Sequence, residues 1–200
     1  DKTCLVGSID QGTSSTRFLV FTKEGRLAAS AQMEHTQIFP EGEPGWHEHD
    51  AIEIWNNVVA CVHAVVTGLK NKAGIQLLKQ SLQAIGVTNQ RETTVAWNAE
   101  TGVPYYHALV WDDVRTTHIV NHLQAVDDGN FQRFRDKTGL PLASYFAGTK
   151  VKWLLDNVPE LQRDLADPDK RDQVRFGTID TWLVYQLTGM KSQHAGAANV

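Results

Sequence analysis

An acid, a glycine and a run of hydroxyls stand together near the start of the chain: Asp10, Gln11, Gly12, Thr13, Ser14, Ser15 and Thr16, with Arg17 directly after. The chemistry this set offers is phosphate handling. Gly12 lets the backbone turn tightly and approach a ligand. The amides and hydroxyls of Thr13, Ser14 and Ser15 are donors for phosphate oxygens. Asp10 is the hard oxygen ligand that Mg²⁺ takes alongside water and phosphate. Two common nucleotide motifs fail. Gly7 to Gly12-Thr13-Ser14 has the outline of a P-loop, but Thr13 stands where a lysine is required. No G-x-G-x-x-G is present, so a Rossmann cofactor site is unsupported. Taken locally, the same residues also suit a polar β-turn.

A second segment, Asn89-Gln90-Arg91-Glu92-Thr93-Thr94, follows an apolar run. Ligands of α/β proteins gather beyond the carboxyl ends of strands. Arg91 offers a planar fork of donors and Glu92 offers acceptors, which together match a small molecule rich in hydroxyls. An exposed loop ion pair is the plainer alternative. In Trp111-Asp112-Asp113, with Arg115 nearby, the paired acids suit helix caps. Trp111 is large enough to wall a pocket or to fill a core, and Tyr145-Phe146 shares that ambiguity. Trp46-His47-Glu48-His49-Asp50 contains His-x-His, but no third ligand is spaced for a closed metal site. It reads as a loop and a helix cap.

The elements that must position these residues follow from pattern. Cys4–Ile9, Arg17–Thr22 and Leu27–Met33 are short apolar runs, the last two separated by the turn signal Lys23-Glu24-Gly25-Arg26. They predict a three-strand meander. Pro40, Gly42, Pro44 and Gly45 mark a loop. Asp50 then opens a helix, with Glu53 at capping-box spacing. Ile52, Trp55, Val58, Val59, Val62, Val65, Val66 and Leu69 form its apolar face, and Gly68 and Gly74 bracket its end. Leu82–Val87 predicts a buried strand, and Thr93–Trp97 and Ala108–Trp111 two more. Helices are expected at Val114–Val126, at Phe131–Lys137 with Gly139 as its stop, and at Phe146–Asn157. Val174–Phe176 is a last strand, and Asp180 can cap a helix through Leu187. The order β-β-β-α-β-β-β followed mostly by helix predicts an α/β fold, a mixed sheet flanked by helices.

Bulk properties narrow the function further. At 200 residues the chain holds enough material for a core without staples. Nineteen Lys and Arg against 23 Asp and Glu give a net charge of −4, so nothing favours a nucleic-acid partner. Two cysteines, Cys4 and Cys61, make no disulfide framework and point to a reduced, cytoplasmic compartment. No run of 18 consecutive apolar residues marks a transmembrane segment, and the first residues show no signal-peptide pattern.

Six segments, in order, carry a resemblance. They are Ser8 to Arg17, Pro44 to Asp50, Gly86 to Thr94, Val110-Trp111, Tyr145 to Trp153, and Phe176 to Leu183. Together they resemble the opening of the glycerol kinases, within the FGGY carbohydrate kinases, over residues 4–189. The resemblance implies a ribonuclease H-like, actin-like ATPase domain. It implies transfer of the γ-phosphoryl group of ATP to glycerol, giving sn-glycerol 3-phosphate, with Mg²⁺ as cofactor. It puts Asp10 at the Mg²⁺–phosphate site, Thr13, Ser14 and Ser15 on phosphate contacts, and Arg17 on a phosphate-facing cation. Arg91, Glu92 and Tyr145 fall on glycerol-hydroxyl contacts, with Trp111 as the apolar wall. Phosphoryl transfer needs positioning and charge stabilisation more than covalent chemistry, which such a set supplies.

The resemblance also implies a homo-oligomer for the full-length protein. It puts the family's catalytic aspartate and adenine pocket beyond residue 200, so that residues 1–200 read as an incomplete N-terminal kinase domain. The family's acid-bearing stretch after Thr188-Gly189 is missing, since His194-Ala195-Gly196-Ala197-Ala198-Asn199-Val200 stands there. A kinase for another polyol or sugar, and a non-catalytic adaptor that keeps the fold, are the alternatives.

Overall fold

The computed structural model describes residues 4–68 and 81–189. The expected helix residue Leu69, the stop at Gly74 and the divergent stretch 194–200 lie outside the described residues.

The meander forms as expected. β1 (Leu5–Gln11), β2 (Ser15–Thr22) and β3 (Leu27–Glu34) pair antiparallel, with Asp10 opposite Arg17. Gly25 turns the second hairpin at φ 76°, which only glycine adopts cheaply, and its amide donates to Thr22 O at 2.9 Å. β5 (Leu82–Val87) adds in parallel beside β1, giving the order β3-β2-β1-β5. It was expected to be buried. Instead Gln83, Ala84, Ile85 and Gly86 are exposed, because among the described residues β5 pairs on one side only.

The expected mixed sheet opening with the meander is thus observed, and the remaining strands form a second sheet of their own. The second is antiparallel, in the order β4-β7-β6-β8, built from β4 (Glu48–His49), β6 (Thr94–Asn98), β7 (Ala108–Leu109) and β8 (Val174–Thr178). β4 lies in what read as loop and cap. A two-residue strand has no periodicity to detect, and it is defined by its pairing to Leu109 and Ala108.

α1 (Ala51–Gly68) begins at Asp50, whose Oδ1 accepts from Ile52 N at 2.8 Å. Glu53 does not close a capping box. Its carboxylate accepts from Thr36 N and Oγ1 at 3.1 Å, tying the helix to the segment after β3. The buried stripe is Ala51, Ile54, Val58, Cys61 and Val65, docked on β2 and β3. Ile52 and Val59, expected inside, are 38% and 48% exposed. At 18 residues and mean hydropathy 1.2, α1 is apolar enough by length and composition to cross a membrane, but its stripe packs in the core with Ile9, Phe18 and Trp182.

β6 is buried on both faces. Val95 and Trp97 join the α1 core, and Ala96 joins a second one with Trp153, Leu154 and Leu161. That second core is covered by α2 (Thr117–Ala125), α4 (Ala147–Asn157) and α5 (Pro159–Ala166). α5 was not anticipated, although Pro159 at its first turn is a recognised start signal. α3 is a single turn, Arg135–Thr138, ended by Gly139 in the left-handed region as expected. α6 (Ile179–Leu187) is capped at Thr178 rather than Asp180, which lies in its first turn.

α2 starts later than Val114 because Asp113 and Arg115 are committed elsewhere. Asp113 is not a cap for this helix; its carboxylate accepts from His47 N at 2.6 Å and from Arg115 Nε at 3.0 Å. Arg115 Nη2 donates to Glu48 Oε1 at 2.7 Å, and its guanidinium stacks 3.8 Å over the Trp46 ring. Burial pushes the Glu48 carboxyl up, but hydrogen bonds from His107, Arg115 and Tyr106 outweigh it and hold it below its ordinary value. Asp112 pairs with His47 Nδ1 at 2.7 Å and does not cap either.

Candidate functional site

The site begins where β1 ends. Gly12 N donates to Ser15 O at 2.9 Å, closing the turn into β2. Asp10 is partly exposed at this end. Its Oδ1 accepts from Thr88 Oγ1 at 3.0 Å and its Oδ2 lies 3.4 Å from Arg17 Nη1. Arg17 and Ser14 are exposed. Ser15 is buried, with its hydroxyl accepting from Gln32 Nε2 at 3.2 Å, on the sheet face it shares with Arg17.

The loop after β5 is locked to this turn. Gln90 Nε2 donates to Gly12 O at 3.2 Å, and Thr93 Oγ1 donates to Gln90 Oε1 at 3.0 Å. The same Thr93 oxygen accepts from Trp111 N at 3.1 Å. Trp111 then returns to the start, its indole Nε1 donating to Thr13 Oγ1 at 3.0 Å. Three segments far apart in sequence thus form one hydrogen-bonded ring.

Around that ring lies a cavity of about 270 Å³, lined by Gly12, Thr13, Asn89, Gln90, Arg91, Trp111 and Tyr145. The Trp111 and Tyr145 rings meet edge to face, centroids 5.9 Å apart. The cavity pairs an aromatic corner with a guanidinium, amides and a hydroxyl, which suits a small polyol. Glu92 does not line it. Its Oε2 accepts from Ala147 N at 2.7 Å, at the start of α4, and its backbone takes φ 66°. A larger groove of about 380 Å³ nearby is lined mainly by apolar residues such as Ile119, Leu123, Leu140 and Phe146.

Of the residues singled out from sequence, Thr13, Arg91, Trp111 and Tyr145 share one cavity, Asp10, Ser14 and Arg17 stand at the adjoining turn, and Ser15 and Glu92 are engaged by protein groups. Gly12, read from sequence as the glycine of close approach, also lines the cavity, as do Asn89 and Gln90, which belonged to the second segment but were given no role of their own. Lys150 was missed. It is fully buried, and its Nζ donates to Ser144 O and Tyr145 O, both at 2.7 Å. Burial draws its pKa down to about 8, against the pull of Asp113, Glu92 and Asp112.

The His-x-His pair is also more than loop. The rings of His35, His47 and His49 pack together, and Gln37 Oε1 lies 2.9 Å from both His47 Nε2 and His49 Nε2. Among the described residues no group of His, Cys, Asp or Glu is placed to hold a metal ion.

Residues 5–199 match the FGGY family of carbohydrate kinases, N-terminal domain. The chain belongs to the FGGY family. Its relatives include the glycerol kinase of Roseiflexus sp. (strain RS-1), 48% identical over 92% of this chain and 34% of that protein. The glycerol kinase of Haloferax volcanii is 48% identical over 92% of this chain and 35% of its own. Among solved structures, Plasmodium falciparum glycerol kinase with ADP matches at TM-score 0.75 and 33% identity, over 94% of this chain and 35% of that one. Gluconate kinase from Lactobacillus acidophilus shares the fold at TM-score 0.70 and 18% identity, over 92% and 33%. The actin-like ATPase fold expected of this FGGY domain is thus observed, and the domain spans about a third of the length of the curated relatives it matches.

Proposed function

We propose that this FGGY domain belongs to an ATP-dependent glycerol kinase, for which it supplies the polyol pocket and the phosphate-facing turn. The observation that carries the reading is the ring joining Thr13, Gln90 and Trp111, which sets a cavity of about 270 Å³ directly against the Asp10 strand end. Glycerol kinases at 46–50% identity support glycerol over a larger sugar.

In this reading Trp111 and Tyr145 cover the carbon edge of glycerol, and Arg91 donates to its hydroxyls. Glu92 lines the adjoining groove and not the cavity, and through Oε2 it holds Ala147 N and so the start of α4 beside the pocket. The terminal hydroxyl points to the turn, where the Thr13 and Ser14 donors and the Arg17 cation steady the transferred phosphoryl group. Asp10 fits Mg²⁺, being a partly exposed carboxylate of the kind that ion takes together with phosphate oxygens. When bound, the ion would neutralise charge on the phosphates. The catalytic base and adenine site fall to sequence beyond the matched third, and residues 1–200 alone should show no turnover.

The test is a panel of glycerol, longer polyols and ketoses, each with ATP and Mg²⁺, on a polypeptide that continues to the length of its relatives. Glycerol should give the highest kcat/KM. A clear preference for a ketose or longer polyol would replace the substrate, and no turnover with any would favour a non-catalytic role.

A further inference from the structure

We propose that Lys150 is a positioning residue for the glycerol pocket, holding the main chain of both aromatic walls at a set distance from each other. The inference rests on the glycerol reading above and deepens it. Lys150 lies in the first turns of α4 and has no exposed surface. An ammonium carries three donors and no acceptor. Here they are directed at carbonyls, Ser144 O and Tyr145 O at 2.7 Å and Trp111 O at 3.4 Å.

These carbonyls come from two separate segments, one beyond β7 and one just before α4. Neither segment has a strand or helix ladder at this point to hold it. The rings that wall the cavity belong to the same residues, Trp111 and Tyr145. A buried charge without an ion-pair partner in contact is costly. A methionine would fill similar space without that cost, but it cannot bridge the two segments. Burial lowers the pKa of Lys150 to about 8, while Asp113, Glu92 and Asp112 favour its charge and Arg115 opposes it.

The experiment is steady-state kinetics on a polypeptide continuing to the length of the relatives, comparing wild type, Lys150→Met and Lys150→Gln. The expected result is a glycerol KM raised tenfold or more in Lys150→Met, with the KM for ATP changed less than twofold. Lys150→Gln keeps two donors and should fall between. A lysine that serves only folding would lower the melting temperature without this split between the two substrates. A glycerol KM within twofold of wild type in a folded Lys150→Met variant overturns the proposal while leaving the glycerol reading intact. Loss of folding in both variants also overturns it, in favour of a purely structural lysine. A wild-type chain that does not phosphorylate glycerol overturns the functional reading and this proposal with it.

Discussion

Trp111 donates its indole N–H to the hydroxyl of Thr13 at 3.0 Å, across 98 residues of chain. The bond ties the segment after β7 to the turn between β1 and β2, and so links the proposed polyol wall to the proposed phosphate turn. Trp111→Phe keeps an aromatic ring but removes this donor together with part of the wall's area, so the loss from the hydrogen bond is a lower bound. A hydrogen bond of this kind is worth about 0.5–1.5 kcal/mol, so kcat/KM for glycerol should fall at least roughly 2- to 10-fold. Thr13→Val should cost a similar amount, and the double variant little more than Trp111→Phe alone. Strictly additive losses would show that the two side chains act separately.

Asp10→Asn tests the phosphate turn. Asp10 keeps a side-chain exposure of 39%, and its contacts are one hydroxyl and a long contact to Arg17, so the fold loses little. In the proposed reading the carboxylate acts on charge at the transferred group, where a lost electrostatic contact costs on the order of 100-fold or more in kcat. The full-length variant should therefore lose turnover with a nearly unchanged melting temperature. Near-normal turnover at saturating Mg²⁺ would reduce Asp10 to a turn residue.

Arg91 and Glu92 are adjacent but should separate in experiment. Arg91 lines the cavity, so Arg91→Ala should lower glycerol efficiency about 10- to 100-fold, at roughly 1–3 kcal/mol for an unpaired partner, with little change in melting temperature. Glu92 also caps α4 through Ala147 N. Glu92→Ala should cost about 0.5–2 kcal/mol of stability in addition to activity. Glu92→Gln retains an acceptor and should keep most of the stability. Equal melting temperatures for Glu92→Ala and wild type would argue against the cap.

The histidine cluster predicts acid sensitivity. Burial drives the His49 pKa down to about 3, His35 and His47 push the same way, and a Gln90 hydrogen bond opposes them. The unfolded chain binds this proton near 6.5 and the folded chain only near 3. Stability from neutral His49 is therefore complete above pH 6.5 and lost progressively as pH falls towards 3. The melting temperature should drop between pH 7 and 5, and His49→Gln should flatten that slope. A wild-type melting temperature constant over this range would contradict it.

The residues that announced themselves in sequence did so through local rules. Asp50 capped α1, Gly25 and Gly139 took left-handed turns, and the meander followed from short apolar runs separated by a turn. The acid, glycine and hydroxyls before Arg17, and Arg91 after its strand, were candidates by local rules, with a polar turn and a loop ion pair also open, and the ordered resemblance of six segments singled them out. The rotation of α1 was less legible. Its apolar residues cover more than one face, and only docking on β2 and β3 decided that Ile54 and Cys61 go inward while Val59 stays out.

By itself, then, the sequence determined most of the elements in order, with β4 and α5 the exceptions, the turns, the caps of some helices and the types of residue available for chemistry. These depend on interactions within a few residues, which spacing records. Only the tertiary structure decided that there are two sheets, that Arg115 reaches Glu48 across 67 residues, and that Lys150 grips the carbonyls behind Trp111 and Tyr145. Such contacts depend on where distant segments come to rest, and a buried cation looks like any other lysine or arginine until the groups that surround it are known.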